Sequence, residues 1–163
     1  MANDMTPFVH GSFDLTRFLE GPVTAWGVFQ DRFGRVRKRF SVQMVGRWSG
    51  PSFIIDERFV YDDSTEERRV WSLEPRGPGR FVARSAACIG EARGHSTSDQ
   101  ATMRYKFRLE LKNGPLTVDF DDRIFRIDDY RAINRATIRK WGVRLGELTL
   151  WFERADAPRL AAA

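Results

Sequence analysis

The sequence predicts an all-β protein, an antiparallel up-and-down barrel of roughly nine or ten strands that follow one short N-terminal helix. Three observations lead to this prediction. Apolar and charged residues alternate with a period of two, turn residues recur roughly every 8–14 residues, and helical periodicity is almost absent after Gly21. Consecutive hairpins close into a barrel because closure removes exposed strand edges. A sandwich of two sheets is the alternative.

Alternation is clearest between Met103 and Leu111, where every odd position is apolar or aromatic and every even position is charged. One face of this strand is therefore buried and the other is in water, as in an antiparallel sheet. Residues Arg35–Trp48 alternate in a similar way. Further strands are predicted at Ser52–Tyr61, Thr65–Glu74, Arg80–Ile89, Glu91–Ser98, Arg123–Asp128, Ala132–Trp141 and Arg144–Glu153.

The N-terminal helix is predicted between Ser12 and Gly21. Ser12 or Asp14 can cap its first turn, and Gly21 followed by Pro22 ends it. Its apolar side consists of Phe13, Leu15, Phe18 and Leu19.

A carboxylate and a guanidinium are predicted to meet inside the barrel. A turn at Asp62–Ser64 places Glu57 opposite Arg69 on the inward face. Buried charges are costly unless they are paired, so the pairing supports this register. Arg69 could bind a ligand carboxylate or phosphate while Glu57 orients the ligand or acts as an acid or base. The alternative is an internal ion pair that only joins two strands.

Two tryptophans are predicted to line the same interior. The Glu57 hairpin places Trp71 opposite Ile55, and a three-residue loop at Arg32–Gly34 places Trp26 opposite Phe40. Aromatic side chains of this kind suit a pocket that binds an apolar ligand.

A second polar couple is predicted from the turn at Asn113–Gly114. A two-residue type I′ loop there places Tyr105 opposite Asp122 on the inward face. This phenol and carboxyl could polarise a substrate oxygen, or they could form a satisfied buried hydrogen bond. Asn134 lies on a strand face with small residues and either contacts the ligand or faces water.

Size and charge favour a globular protein with a basic surface. The chain has 163 residues and a mass of 18.9 kDa, which fits one domain over residues 1–163 with frayed ends at 1–5 and 155–163. The net charge of +5 and the pI of 9.9 fit a solvated basic surface or attraction to an anionic membrane surface. We expect no nucleic-acid partner, because no recognised binding motif is present.

The sequence also indicates where in the cell the protein is located. A single cysteine, Cys88, excludes an intramolecular disulfide, which fits a reducing compartment. No apolar run approaches the roughly 20 residues of a membrane span, and residues 1–10 do not form a signal peptide. We therefore expect a cytoplasmic protein, with peripheral association with the inner membrane as a variant, unless a leader has been removed.

No metal ion and no cofactor are expected. Five aspartates lie close together in the sequence, but their spacing matches no EF-hand loop. They are Asp119, Asp121, Asp122, Asp128 and Asp129. The sequence has no zinc-ligand set, Walker loop or nucleophile elbow.

Several blocks of residues together resemble a bacterial family, domain of unknown function 3833. The blocks are Phe18-Leu19-Glu20-Gly21, Ala25-Trp26-Gly27-Val28-Phe29, Glu57-x-Phe59-x-Tyr61-Asp62-Asp63, Arg69-x-Trp71, Asp121-Asp122, Asn134-Arg135-Ala136, Lys140-Trp141-Gly142-Val143 and Gly146-Glu147-Leu148-Thr149-Leu150. The resemblance implies a lipocalin-like (calycin-like) barrel. Many relatives are lipoproteins or lie beside fatty-acid-modifying enzymes, which implies a lipid-related role. No lipoprotein cysteine stands near the N-terminus, and the family supplies no catalytic residue.

Three functions remain open at this point. The first is a module that binds or carries an apolar small molecule, such as a fatty-acyl lipid, with Arg69 near the head group. The second is a cofactor-independent isomerase, hydratase or cyclase acting on a lipid or terpenoid, with Glu57 and Tyr105 as acid–base candidates. The third is an accessory protein for a lipid-modifying enzyme or a membrane surface. The cavity discriminates among them.

Overall fold

Ten strands form one closed antiparallel barrel in the computed structural model, which describes residues 12–159. Each strand pairs with the next in the chain, and the last strand closes the barrel by pairing with the first. The elements are α1 Leu15–Leu19, β1 Gly21–Asp31, β2 Val36–Ser49, β3 Ser52–Tyr61, β4 Glu66–Pro75, β5 Arg80–Ser85, β6 Cys88–Ser96, β7 Gln100–Leu111, β8 Gly114–Arg126, β9 Arg131–Lys140 and β10 Val143–Arg154. The predicted all-β, antiparallel up-and-down class is confirmed.

The short helix α1 closes one end of the barrel. Asp14 caps it by accepting hydrogen bonds from the backbone N–H groups of Thr16 (3.0 Å) and Arg17 (3.3 Å). The Arg154 guanidinium donates to the carbonyl oxygens of Arg17, Phe18 and Glu20 at 2.7–3.0 Å, which satisfies the orphan carbonyls at the end of α1. The buried side chains of α1 are Leu15, Phe18 and Leu19.

Gly46 of β2 lets this helix lie close to the sheet. A Cβ atom at Gly46 would lie 2.1 Å from the carbonyl oxygen of Leu19 and 2.5 Å from the ring of Phe53. Both neighbours are well buried, so no side chain other than hydrogen fits there. The opposite end of the barrel, formed by the β1–β2, β3–β4, β5–β6, β7–β8 and β9–β10 connections, is called the turn end below.

The alternating pattern of the sequence builds the core. Inward side chains from all ten strands converge with those of α1, while the outward faces carry exposed ion pairs such as Arg68–Asp56 at 2.6 Å. The most deeply buried large side chains are Phe53, Phe107, Val23, Val42 and Val118. Apolar burial of this extent is the main force that holds the barrel together.

The β7–β8 turn differs from the sequence prediction. The loop residues are Lys112 and Asn113, and Gly114 pairs directly with Leu111. Among the described residues other than glycine, only Ser64 and Trp141 have a positive φ, so Asn113 does not adopt the type I′ conformation that was predicted. The resulting register is displaced by two residues.

The β1–β2 hairpin also differs, and here the change moves a candidate residue out of the site. A bulge at Phe29–Gln30 shifts the register by one residue, so Trp26 pairs with Ser41 and Phe40 pairs with Gly27. A one-residue shift exchanges the two faces of a strand. Trp26 therefore lies on the outer face beside Trp151, 50% exposed, and the prediction that it lines the interior is wrong.

Candidate functional site

A cavity of about 110 Å³ lies inside the barrel. The α1 side chains Leu15 and Leu19 form its floor, and its walls come from the strands β2–β4 and β7–β10. Apolar lining dominates, but five polar residues also border the space. They are Glu57, Arg69, Tyr105, Asp122 and Asn134. Six of the seven residues that the sequence marked as candidates, these five and Trp71, are thus brought together.

Three aromatic rings, those of Trp71, Tyr105 and Phe120, border the cavity and pack against the buried ring of Phe107. The ring centroids of Trp71 and Tyr105 are 5.2 Å apart at an angle of 72°, and Tyr105 stacks on Phe120 at 5.0 Å and 9°. Phe107 lies 6.1 Å from Trp71 and 5.7 Å from Phe120. Contacts of this kind stabilise the wall beyond the area that they bury. The rings of Trp71, Tyr105 and Phe120 therefore offer flat apolar surface to a guest.

Glu57 carries the unusual electrostatics of the site. It lies in the middle of β3, between Met44 of β2 and Arg69 of β4. Its side chain is partly exposed to the cavity, and among residues 12–159 its carboxyl has no hydrogen-bond or ion-pair partner. The pKa of Glu57 is raised to about 7. Loss of solvation is the main cause, Arg69 opposes it, and the charges of Asp122 and Glu67 add to it.

Arg69 binds a carboxylate other than the one predicted. The register that places Arg69 opposite Glu57 is confirmed. The guanidinium nevertheless donates to both carboxylate oxygens of Glu67, at 2.7 and 3.1 Å. It also lies over the rings of Phe59 and Phe107, at 4.5 and 4.8 Å from their centroids. The predicted Glu57–Arg69 ion pair is therefore wrong, because the two-point contact with Glu67 holds the guanidinium towards the turn end.

Glu67 is the site residue that the sequence analysis missed. It stands two positions before Arg69 on β4, so the period of two places it on the inward face. Its carboxylate also accepts a hydrogen bond from the Tyr61 hydroxyl at 2.7 Å. Burial raises the pKa of Glu67, but the bonds from Arg69 and Tyr61 outweigh this and lower the pKa overall. The chain Tyr61–Glu67–Arg69 lies between the cavity and the turn end, and the same alternation could have revealed it.

A second polar cluster lies on the β7–β9 wall. The Tyr105 hydroxyl donates to Asp122 at 3.2 Å, although the displaced register makes the two diagonal neighbours. The Asn134 amide donates to the other oxygen of Asp122 and to the carbonyl of Arg123 at 2.9 Å. Burial raises the pKa of Asp122 to about 6, and the hydrogen bonds from Asn134 and Tyr105 limit this rise. Burial also raises the pKa of Tyr105 well above its ordinary value.

Residues 12–159 contain no group of three His, Cys, Asp or Glu side chains that could hold a metal ion. Within the same residues, no helix has the length and apolar character needed to cross a bilayer.

The fold and interior define a lipocalin-like barrel, a closed antiparallel barrel with a cavity in its interior. Residues 6–154 match the family described as Protein of unknown function (DUF3833), so the chain belongs to that family. No curated protein matches the sequence.

Solved structures share the architecture. The S-type phycobiliprotein lyase CPES from Guillardia theta aligns with a TM-score of 0.65 and 8% identity, over 88% of this chain and 92% of that chain. The barrel EF1p2_mFAP2b bound to DFHBI aligns with a TM-score of 0.46 and 12% identity, over 86% of this chain and 99% of that chain. At 8% identity the lyase alignment shows a common fold and nothing further.

Proposed function

We propose that the barrel binds an apolar small molecule with one polar group in its interior, with a fatty-acyl lipid as the natural candidate. The observation that carries the proposal is the cavity, whose walls are apolar and aromatic and whose polar side chains are few and convergent. Sites of this composition are typical of small-molecule binding. The aromatic wall packs on the apolar part of the ligand, and the polar group lies at the level of Glu57.

The cavity volume limits what enters without rearrangement. Its 110 Å³ is below the roughly 300–1,000 Å³ of drug-sized sites and near the about 150 Å³ of an engineered cavity that binds benzene. A ring or a short apolar segment therefore fits directly. A longer acyl chain would reach the turn end only if the rings of Phe40, Phe59 and Tyr61, which pack on one another, moved apart.

A cavity-filling substitution tests the binding proposal. Ala136 borders the cavity and is 1% exposed, so Ala136→Leu fills part of the space. Toluene and a fluorescent fatty-acyl probe are titrated into the wild-type protein and the variant. Binding to the wild type and at least tenfold weaker binding to Ala136→Leu are expected. The matched control is Thr137→Leu on the outer face of the same strand, which leaves affinity unchanged. Equal affinity in all three proteins contradicts an interior site.

Acid–base catalysis is the second candidate, and the state of Glu57 favours it. A general acid or base works best when its pKa lies near the working pH, and the pKa of Glu57 is raised to about 7 at the edge of the cavity. Glu57 would move a proton in an isomerisation, hydration or cyclisation of a lipid or terpenoid, while Tyr105 would hold a substrate oxygen.

A compact probe tests this second function. Cyclohex-3-enone is close to benzene in size, and its conversion to the conjugated isomer needs only a proton removed from one carbon and returned to another. The rate is followed by ultraviolet absorption. An enzyme of this type accelerates the reaction with a pH profile that has its midpoint near 7, and Glu57→Gln abolishes the acceleration. The same slow rate in wild type and variant eliminates this candidate for ketone probes.

A further inference from the structure

The polar groups of the interior differ in whether they already have hydrogen-bond partners. The donors Tyr61, Tyr105 and Asn134 already bind acceptors, and two N–H groups of Arg69 are held by Glu67. Among the described residues, the carboxyl of Glu57 has no partner, although it is enclosed and faces the cavity. Burying a charged or polar group without a hydrogen bond costs folding free energy. Glu57 is therefore the acceptor of the cavity that lacks a donor, whereas the Arg69 guanidinium is paired with Glu67 and lies over the rings of Phe59 and Phe107.

The balance of charge points the same way. Two carboxyl groups, those of Glu57 and Asp122, border the cavity together with one guanidinium, that of Arg69. Glu67 already neutralises this guanidinium through two hydrogen bonds. An anionic ligand would add a third acidic group to the cavity, in a region of weak screening where like charges repel strongly. A cationic or hydrogen-bond-donating ligand is instead attracted by these carboxyl groups.

We propose that the polar group recognised in the cavity is a hydrogen-bond donor, a protonated amine above all, and that Glu57 accepts it. This inference rests on the proposed binding function and names its ligand class. It replaces the expectation that Arg69 receives an acidic head group. The ligand is an apolar molecule that ends in an ammonium group, such as a compact arylalkyl or alkyl amine, whose apolar part packs on the wall of Trp71, Tyr105 and Phe120.

The preference depends on pH in a defined direction. Glu57 faces Arg69 from β4, while Tyr105 of β7 and Asp122 of β8 border the same cavity and Glu67 lies beyond Arg69. Ionisation of Glu57 completes the ion pair with an ammonium group, so amine affinity rises between pH 6 and 8. Affinity for an uncharged ligand without a donor stays constant over that range.

A series of ligands on one ring tests the inference. Benzylamine, benzyl alcohol, toluene and benzoate have similar size and differ in charge and donor capacity. Binding is measured at pH 7.5 by calorimetry and ligand-observed NMR. We expect benzylamine to bind at least tenfold more tightly than benzoate, with benzyl alcohol between them.

Variants assign the preference to Glu57. Glu57→Gln weakens benzylamine binding about tenfold and leaves toluene binding unchanged. The matched control is Glu66→Gln, the same substitution at an exposed position of the adjoining strand β4, where Glu66 pairs with Arg58 at 2.7 Å. This variant binds all four compounds as the wild type does. The pH dependence of benzylamine binding to the wild-type protein is a second test that requires no substitution.

The outcomes distinguish failure of this inference from failure of the proposed binding function. If toluene binds but benzoate binds as tightly as benzylamine, or if Glu57→Gln keeps the amine preference, the donor inference is wrong and the interior site stands. If none of the four compounds binds, toluene included, both the interior site and the donor inference fail.

Discussion

Asp122 and Glu57 are two enclosed carboxyls that border one cavity from different strands, and they differ in one respect. Asp122 accepts hydrogen bonds from Tyr105 and Asn134, whereas Glu57 accepts none from the described residues. Burial raises the pKa of both groups, to about 6 for Asp122 and about 7 for Glu57. The difference shows which carboxyl the fold uses internally and which it leaves available to a guest.

A satisfied and an unsatisfied buried group have opposite consequences for stability. Removal of Asp122 leaves donors without an acceptor, which costs free energy of folding. Removal of the Glu57 charge deletes an unfavourable burial and no hydrogen bond. Functional sites commonly retain such locally unfavourable groups. The predictions below test this contrast.

The largest effect is expected from Asp122→Ala. This change leaves the Tyr105 hydroxyl and an N–H of Asn134 without their acceptor, and we expect the free energy of unfolding to fall by about 4 kcal/mol. Urea denaturation at pH 5 measures this loss of stability. Asp122 is mostly protonated at that pH, so the substitution removes hydrogen bonds without also removing a charge. The control Glu57→Ala loses no hydrogen bond and should be much milder. Equal losses in the two variants would remove the distinction between the carboxyls.

The next effect is a pH-dependent gain in stability from Glu57→Gln. The folded protein binds the Glu57 proton up to about pH 7, whereas the unfolded chain releases it near 4.5. Stability due to this group therefore falls as the pH rises from 4.5 to 7 and is constant above 7. At about 1.4 kcal/mol per pKa unit, the variant gains up to about 3 kcal/mol relative to wild type across that interval.

Denaturation of both proteins at several pH values measures this gain. Only the difference between wild type and variant is used, because other carboxylates of the chain titrate in both proteins. A difference that does not change between pH 4.5 and 7 would mean that Glu57 is solvated like a surface residue.

A smaller effect is expected from Tyr105→Phe. One hydrogen bond to Asp122 is lost and the other, from Asn134, remains, so unfolding becomes easier by about 1 kcal/mol. The pKa of Asp122 rises because the lost bond lowered it. Thermal unfolding and an NMR titration of the Asp122 carboxyl measure the two changes. An unchanged pKa of Asp122 would show that the 3.2 Å contact does not persist in solution.

The smallest effect is a change in the titration of Glu57 in the variant Glu67→Gln. The charge of Glu67 raises the pKa of Glu57, and Glu67 also holds Arg69 away from it. The variant should therefore lower the pKa of Glu57. The control is Glu66→Gln, an exposed neighbour paired with Arg58, which should have no effect. An increase in the pKa of Glu57 in Glu67→Gln would contradict the assignment of Arg69 to Glu67.

The hairpin that carries Glu57 and Arg69 could be predicted from the sequence because its loop is short and regular. The register predicted from the turn at Asn113 is wrong by two residues. The predicted faces are nevertheless correct, because a shift of two residues keeps Tyr105 and Asp122 on the inward face. The bulge at Phe29–Gln30 has no sequence signal and shifts the register by one, which moved Trp26 outward. A strand pattern therefore predicts faces well only where no bulge intervenes.

The partners of individual charges were harder to predict than their faces. Alternation places Glu57, Glu67 and Arg69 inside the barrel, but which carboxylate binds the guanidinium depends on side-chain rotamers and on the rings of Phe59 and Phe107. Neither is encoded in a period of two. The cavity volume depends in the same way on packing, which the pattern of apolar residues does not specify.

The central claim is that the Glu57 carboxyl has no partner among the described residues and is open to a ligand. The pKa of Glu57 tests this claim most directly. It is measured by carbon-13 NMR of side-chain-labelled glutamate, with the signal assigned by its loss in Glu57→Gln. A midpoint near pH 7 that falls when benzylamine is added is the predicted result. A midpoint near the ordinary 4.5 that benzylamine does not move would contradict it.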